Sequence, residues 1–124
     1  MSVRYSIDKS QRLIVTVAEG IVRFGDSRDH QNRLVADPDF DPTFDQLIDM
    51  TSTTRFELSA DQARTFATRA VVSPDSRRAF IAAKPYIFGL GRMMEAYHEG
   101  LAHAHVFYSL NEALNWLESS IPVG

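Results

Sequence analysis

Val3, Tyr5 and Ile7 alternate with Arg4 and Ser6, a period of two that predicts a half-buried strand at the start of the chain. Residues 8–11 are polar and make a turn, after which residues 13–18 predict a second strand. A turn this short joins antiparallel neighbours, because parallel strands need a long crossover. Gly20, Ile21, Val22 and Phe24 lead into a helix expected to be capped by Asp26 and to continue to Ala36. Its apolar stripe is thin, with Leu34 and Val35 supplying most of it and His30 one turn earlier. The run Asp37-Pro38-Asp39-Phe40-Asp41-Pro42 ends that helix, since each proline turns the preceding residue away from helical dihedrals. Phe40 and Phe44 are expected to tuck into the core and fix the path of this loop.

Residues 46–50 predict a strand carrying Leu47 and Ile48, followed by a hydroxyl-rich loop, Thr51-Ser52-Thr53-Thr54-Arg55. Ser59 and Gln62 have the spacing of a capping box, in which each side chain satisfies an orphan backbone donor. The helix that follows has Ala63, Phe66, Ala67 and Ala70 on one face. A turn at residues 73–76 precedes a strand over 78–83 with Phe80 and Ile81. Pro85 suits the first turn of a third helix with the stripe Tyr86, Leu90, Met93, Met94 and Tyr97, which Gly100 is placed to end. Residues 104–108 predict the last strand. Ser109 and Glu112 then open a helix with Leu110, Ala113, Leu114 and Leu117 inward and Trp116 at its flank. The order ββαβαβαβα predicts an α/β fold: one mixed, mostly parallel sheet with an N-terminal antiparallel hairpin at its edge and four covering helices.

Composition narrows the classes. At 124 residues the chain is expected to be a single domain over residues 1–124. With 13 Lys and Arg against 16 Asp and Glu it lacks the positive surplus that phosphate backbones require, so nucleic acid is not an expected partner. The absence of cysteine removes disulfides, thiolate metal sites and a thiol nucleophile together. No apolar run approaches the ~20 residues of a membrane span, and residues 1–8 lack the apolar stretch of a secretion signal, so a cytoplasmic location is expected.

Several segments resemble the SpoIIAA-like family related to STAS domains, the fold of anti-sigma factor antagonists. They are Val3-Arg4-Tyr5-Ser6-Ile7-Asp8, Leu13-Ile14-Val15-Thr16-Val17, the Asp37 to Pro42 run and Gln46-Leu47-Ile48-Asp49-Met50-Thr51. Phe88-Gly89-Leu90-Gly91-Arg92-Met93-Met94-Glu95 and Glu112-Ala113-Leu114-Asn115-Trp116-Leu117 complete the match. The resemblance implies a regulatory or protein-interaction role, in a branch of unassigned function. In the antagonists a phosphorylatable Ser or Thr follows a buried strand in a glycine-containing turn. Here that position gives Thr51 and Ser52 without the glycine, and Ser59 is a third candidate because a phosphate there would meet a helix N-terminus.

Other constellations carry less. His98, His103 and His105 lie close in sequence and could hold zinc or copper were they to converge, although the HExxH spacing is missing. Asp37-x-Asp39-x-Asp41 begins like a calcium loop, but Pro42 stands where that loop needs glycine and Ile48 where it needs a bidentate glutamate. Gly89-x-Gly91 lies inside a helix rather than at its start, so it predicts close packing rather than a dinucleotide site. Lys84 with Arg77, Arg78 and Arg92 is a candidate anion-binding end for the third helix. No nucleophile elbow is present, and no cofactor is expected.

The third helix carries more apolar bulk than one sheet face covers, which makes Tyr86, Phe88, Leu90, Met93, Met94 and Tyr97 candidates for an interface or a ligand pocket. The leading reading is a non-catalytic interaction domain, with a symmetric homodimer or another protein docked at that helix. The alternative is a carrier of a small apolar ligand or lipid, as the similarity of the fold to CRAL-TRIO lipid-transfer domains suggests. A metal-dependent enzyme using the histidines comes third.

Overall fold

The computed structural model describes residues 2–68, 73, 75–97 and 103–118. Its strands are β1 (Val3–Asp8), β2 (Leu13–Arg23), β3 (Asp45–Glu57), β4 (Arg77–Ile81) and β5 (His103–Phe107). The helices are α1 (Phe24–Ala36), α2 (Ala60–Thr68), α3 (Pro85–Tyr97) and α4 (Leu110–Glu118), so the expected order ββαβαβαβα holds. The strands form one sheet in the order β1-β2-β3-β4-β5. β1 lies antiparallel to β2 at the edge, and every other pair is parallel.

Two strands are longer than their apolar patterns predicted. β2 continues through Gly20 to Arg23, and β3 continues through the hydroxyl-rich segment, pairing Glu19 with Ser52, Gly20 with Thr53 and Val22 with Phe56. Thr51-Ser52-Thr53-Thr54-Arg55 is therefore strand, not loop. β-Branched threonines favour a pleated backbone. Thr53, fully buried, also donates its hydroxyl to the Ala18 carbonyl at 2.8 Å. Two register shifts, one either side of Gly20 (φ +66°), bend β2 where it leaves the main sheet.

Both faces of the sheet are covered. On one, Leu47, Ala79 and Ile81 pack against Ala113 of α4, with Leu13, Val15, Phe107, Leu114, Trp116 and Leu117 around them. Arg77 closes this layer: it donates to the Trp116 and Leu117 carbonyls at the C-terminal end of α4, and its guanidinium lies 5.6 Å from the Trp116 ring. Leu110, expected to face inward, is exposed. On the other face, Val3, Ala18, Val22, Ile48, Met50, Phe80, Ala82 and Val106 pack with Ile87 of α3. At one end of that face Ile14, Leu34 and Phe44 cluster with Phe40 against them, as expected of the two phenylalanines.

Local signals place the helices. The Ser59 and Gln62 box is formed in both directions, at 3.0 and 3.1 Å. Ser59 thereby opens α2, and the side chains of Phe66 and Ala67, with Ala70, lie outside the described residues. Ser109 accepts the Glu112 amide at the start of α4. Asp26 acts from inside its helix: its carboxylate accepts the Arg23 backbone N–H at 2.9 Å, and α1 begins at Phe24. Side chains also plug both free edges of the sheet. The Arg33 guanidinium donates to the Val3 carbonyl of β1, and the Glu95 carboxylate accepts the Val106 N–H of β5.

Gly91 and Gly89 separate two roles of glycine on one helix. A Cβ at Gly91 would lie 2.5 Å from a Val106 methyl, so α3 packs on β5 only because that Cβ is missing, whereas at Gly89 nothing lies within 4 Å. Gly91→Ala is expected to destabilise the fold by about 1–3 kcal/mol through overpacking. Gly89→Ala is expected to stabilise it by about 0.5–1 kcal/mol, the ordinary gain of replacing a helical glycine. Denaturant midpoints of the two variants check this; equal midpoints would show that α3 does not sit this close to β5.

Candidate functional site

α1 buries an unusual face. Ser27, His30, Gln31 and Leu34, at i, i+3, i+4 and i+7, point toward the sheet, while Val35, expected to be part of the stripe, is exposed. Most of that buried face is polar, and it meets polar residues on the strands opposite. Thr16 of β2, Gln46 of β3 and Arg78 of β4 are each buried to 3% exposure, and Gln46 and Arg78 are register partners.

These groups line the floor of a cavity of about 240 Å³ between the sheet and α1, α2 and α3. Its walls are apolar: Val3, Ala18, Val22, Leu34, Ile48, Met50, Phe56, Leu58, Ala63, Phe80, Leu90 and Met93. The lining reaches outward to exposed Ser59, Ala60 and Tyr86, so the mouth lies between the start of α2 and the first turn of α3.

On the floor, Gln46 Nε2 donates to Thr16 Oγ1 at 3.0 Å, and that hydroxyl lies 3.3 Å from His30 Nε2. His30 Nδ1 and Gln46 Oε1, both buried, have no hydrogen-bond partner among the described residues. The Tyr5 ring closes over the imidazole at 5.6 Å between centroids. Burial first, and then the charges of Arg33 and Arg78, push the His30 pKa down from 6.5 to about 4, so the ring is neutral at pH 7. Burial pushes the Arg78 guanidinium down to about 10, which leaves it protonated, and it sits 5.5 Å from the Phe80 ring.

The residues singled out from the sequence fall into three groups. Tyr86, Leu90 and Met93 line the cavity, whereas Phe88 turns away and stacks on Tyr108 at 4.0 Å. The side chains of Met94 and Tyr97 lie outside the described residues. Thr51 and Ser52 are exposed in the middle of β3, and Thr51 is tied to Asp49 through its hydroxyl and its amide. Ser59, at the mouth, is the phosphorylation candidate that opens a helix, and its hydroxyl accepts the Gln62 amide.

The anion-binding end at Lys84 is not assembled. Arg77 and Arg78 are successive residues at the opposite end of β4 and point to opposite faces, and Arg92 pairs with Glu95 at 3.5 Å. His98 lies outside the described residues, and His103 and His105 are exposed on β5, with His105 edge-on to Trp116. Among the described residues no group of three or more His, Asp or Glu side chains is arranged to hold a metal ion. Ser27, His30, Gln31, Gln46 and Arg78 were not singled out as one site by the sequence. Their signal was spacing alone, since polar residues at helical i, i+3, i+4 intervals look the same whether they face water or a cavity.

No protein-family model matches the chain, and no curated protein matches it. Among solved structures it is similar to an uncharacterized protein of the DUF3478 family with a SpoIIAA-like fold from Shewanella loihica PV-4. The two are 19% identical over 94% of each chain, with a TM-score of 0.66. The SpoIIAA-like fold implied by the sequence is therefore what the chain adopts. No helix among the described residues is long and apolar enough to cross a membrane.

The depressed pKa of His30 sets a pH dependence. The unfolded chain takes up this proton near pH 6.5 and the folded chain only near 4, so the contribution is full above about 6.5 and is lost as pH falls toward 4. At about 1.4 kcal/mol per pKa unit, the loss across that window is about 3 kcal/mol. Urea unfolding from pH 7 to 4 is expected to show this slope, and His30→Gln to flatten it. An unchanged slope in the variant would mean that the imidazole is not held neutral.

Proposed function

We propose that the protein is a non-catalytic binding module that carries a small apolar ligand in the cavity between its sheet and α1, α2 and α3. The observation that supports this most is the enclosed apolar space itself, about 240 Å³ with a mouth at Ser59, Ala60 and Tyr86. Interiors are packed nearly as tightly as organic crystals, so a void of this size is unusual unless something occupies it. An apolar cavity of about 150 Å³ is large enough for benzene, which scales this one to about ten non-hydrogen atoms.

The same observation accounts for the apolar surplus of α3. Leu90 and Met93 are half-buried as cavity walls, and Ile87 is fully buried on the sheet. Among the described side chains of α3, Tyr86 is the large apolar one left exposed. Leu90 and Met93, two of the residues that make up this surplus, are thereby turned toward the ligand space rather than outward. The ligand reading is therefore preferred to the docking reading.

Calorimetry with 1-octanol, a neutral probe of matching size, is expected to show saturable one-to-one binding with a negative heat-capacity change. Ala63→Phe places a ring inside the cavity, because Ala63 is buried in its wall, and is expected to abolish the signal while the fold is retained. Undiminished binding by that variant, or no binding by the parent protein, would refute the carrier reading.

A further inference from the structure

The cavity is apolar along its walls but not at its floor, and the floor bears on the chemistry of the occupant. Thr16 links Gln46 and His30 in a relay that can run either way. With Gln46 Nε2 donating to Thr16, the hydroxyl donates to His30 Nε2, leaving an Nδ1–H donor and the Gln46 Oε1 acceptor without partners. With the amide turned over, the hydroxyl donates to Gln46 and accepts from His30, and the unused atoms become an amide N–H donor and the Nδ1 acceptor. Either orientation leaves one donor and one acceptor on side chains that are 3% exposed. A buried polar atom without a partner costs more free energy than a typical hydrogen bond returns, so both atoms favour a polar group at this end of the cavity.

The relay does not choose the sign of that group. Arg78 does, because this cationic residue lines the same cavity, is buried to 3% exposure, and its charge disfavours a proton on His30. We infer that the ligand is an amphiphilic carboxylate of about ten non-hydrogen atoms, such as a medium-chain alkanoate, its carboxylate seated between Arg78 and the relay and its chain running toward Tyr86. One carboxylate oxygen takes the guanidinium and the other takes the relay's donor. The relay's acceptor is left for a hydroxyl on the ligand or an accompanying water. The inference rests on the carrier reading and adds to it the charge and direction of the ligand.

A matched set of eight-carbon probes separates the two claims without altering the protein. Calorimetry at pH 7 is expected to show octanoate binding about 10- to 100-fold more tightly than 1-octanol, the range given by a charge-assisted hydrogen bond, and octylamine more weakly than either. Arg78→Met exchanges the buried cation for an apolar group of similar length, a change that folds often tolerate. It is expected to bring octanoate and 1-octanol to within about threefold of each other while 1-octanol binding persists. Gln46→Glu keeps the cation and adds a carboxylate across the strand ladder from it, and is expected to weaken octanoate but not 1-octanol. Equal affinities for octanoate and 1-octanol in the unaltered protein, or preferred binding of octylamine, would overturn the carboxylate assignment and leave the carrier reading standing. No binding of any probe would end both.

Discussion

A guanidinium buried on an interior strand is the constraint around which one whole side of this molecule is organised. Arg78 sits on β4 between β3 and β5, where strands are ordinarily apolar on both faces, and it stays protonated there. A charge so placed has to be surrounded by polar groups, because removing it from water costs several kcal/mol even after the protein relaxes, an order-of-magnitude figure. Gln46 on the neighbouring strand, Thr16 beyond it and His30 on the covering helix are polar groups lining the same cavity as Arg78. The polar inner face of α1 follows: a helix lying over this floor cannot present leucines throughout without stranding the groups beneath.

The cavity is the geometric outcome. α3 is drawn tightly onto β5 by the missing Cβ of Gly91, and α1 is anchored at its far end by Leu34 among Ile14 and Phe44. α2 bridges the gap with a small buried residue, Ala63, and carries exposed Ala60 at the mouth. Two helices held at opposite edges and a third contributing alanines leave space above the centre of the sheet. The bent extension of β2 and β3 supplies Val22 and Phe56 as an end wall. Sheet, helices and bend together make an apolar chamber with a charged floor.

How much of this the sequence disclosed depends on which physical signal each residue emits. Alternation in Val3, Tyr5 and Ile7, the Ser59 and Gln62 spacing and Pro85 are local signals, and the elements they predict are present. The stretch from Thr51 to Arg55 has the polarity of a loop, which masks a backbone preference that pairing with β2 enforces. The apolar surplus of α3 is legible in its sequence, and Tyr86, Leu90 and Met93 line the cavity. The floor was not assembled. Arg78, Gln46 and His30 belong to separate elements, and each has an ordinary solvated explanation until the sheet register brings the first two side by side and α1 is laid across them.

The plugged margins of the sheet carry a consequence for how copies of this chain can meet. An open β margin is a template on which any extended segment can grow a fibre-like ladder. Arg33 already holds the Val3 carbonyl at one margin, and Glu95 already holds the Val106 amide at the other. An incoming strand would have to dislodge a charged side chain to form the rung at either of those two groups. Those two residues thus occupy one ladder position at each margin, a task separate from anything the interior of the molecule does.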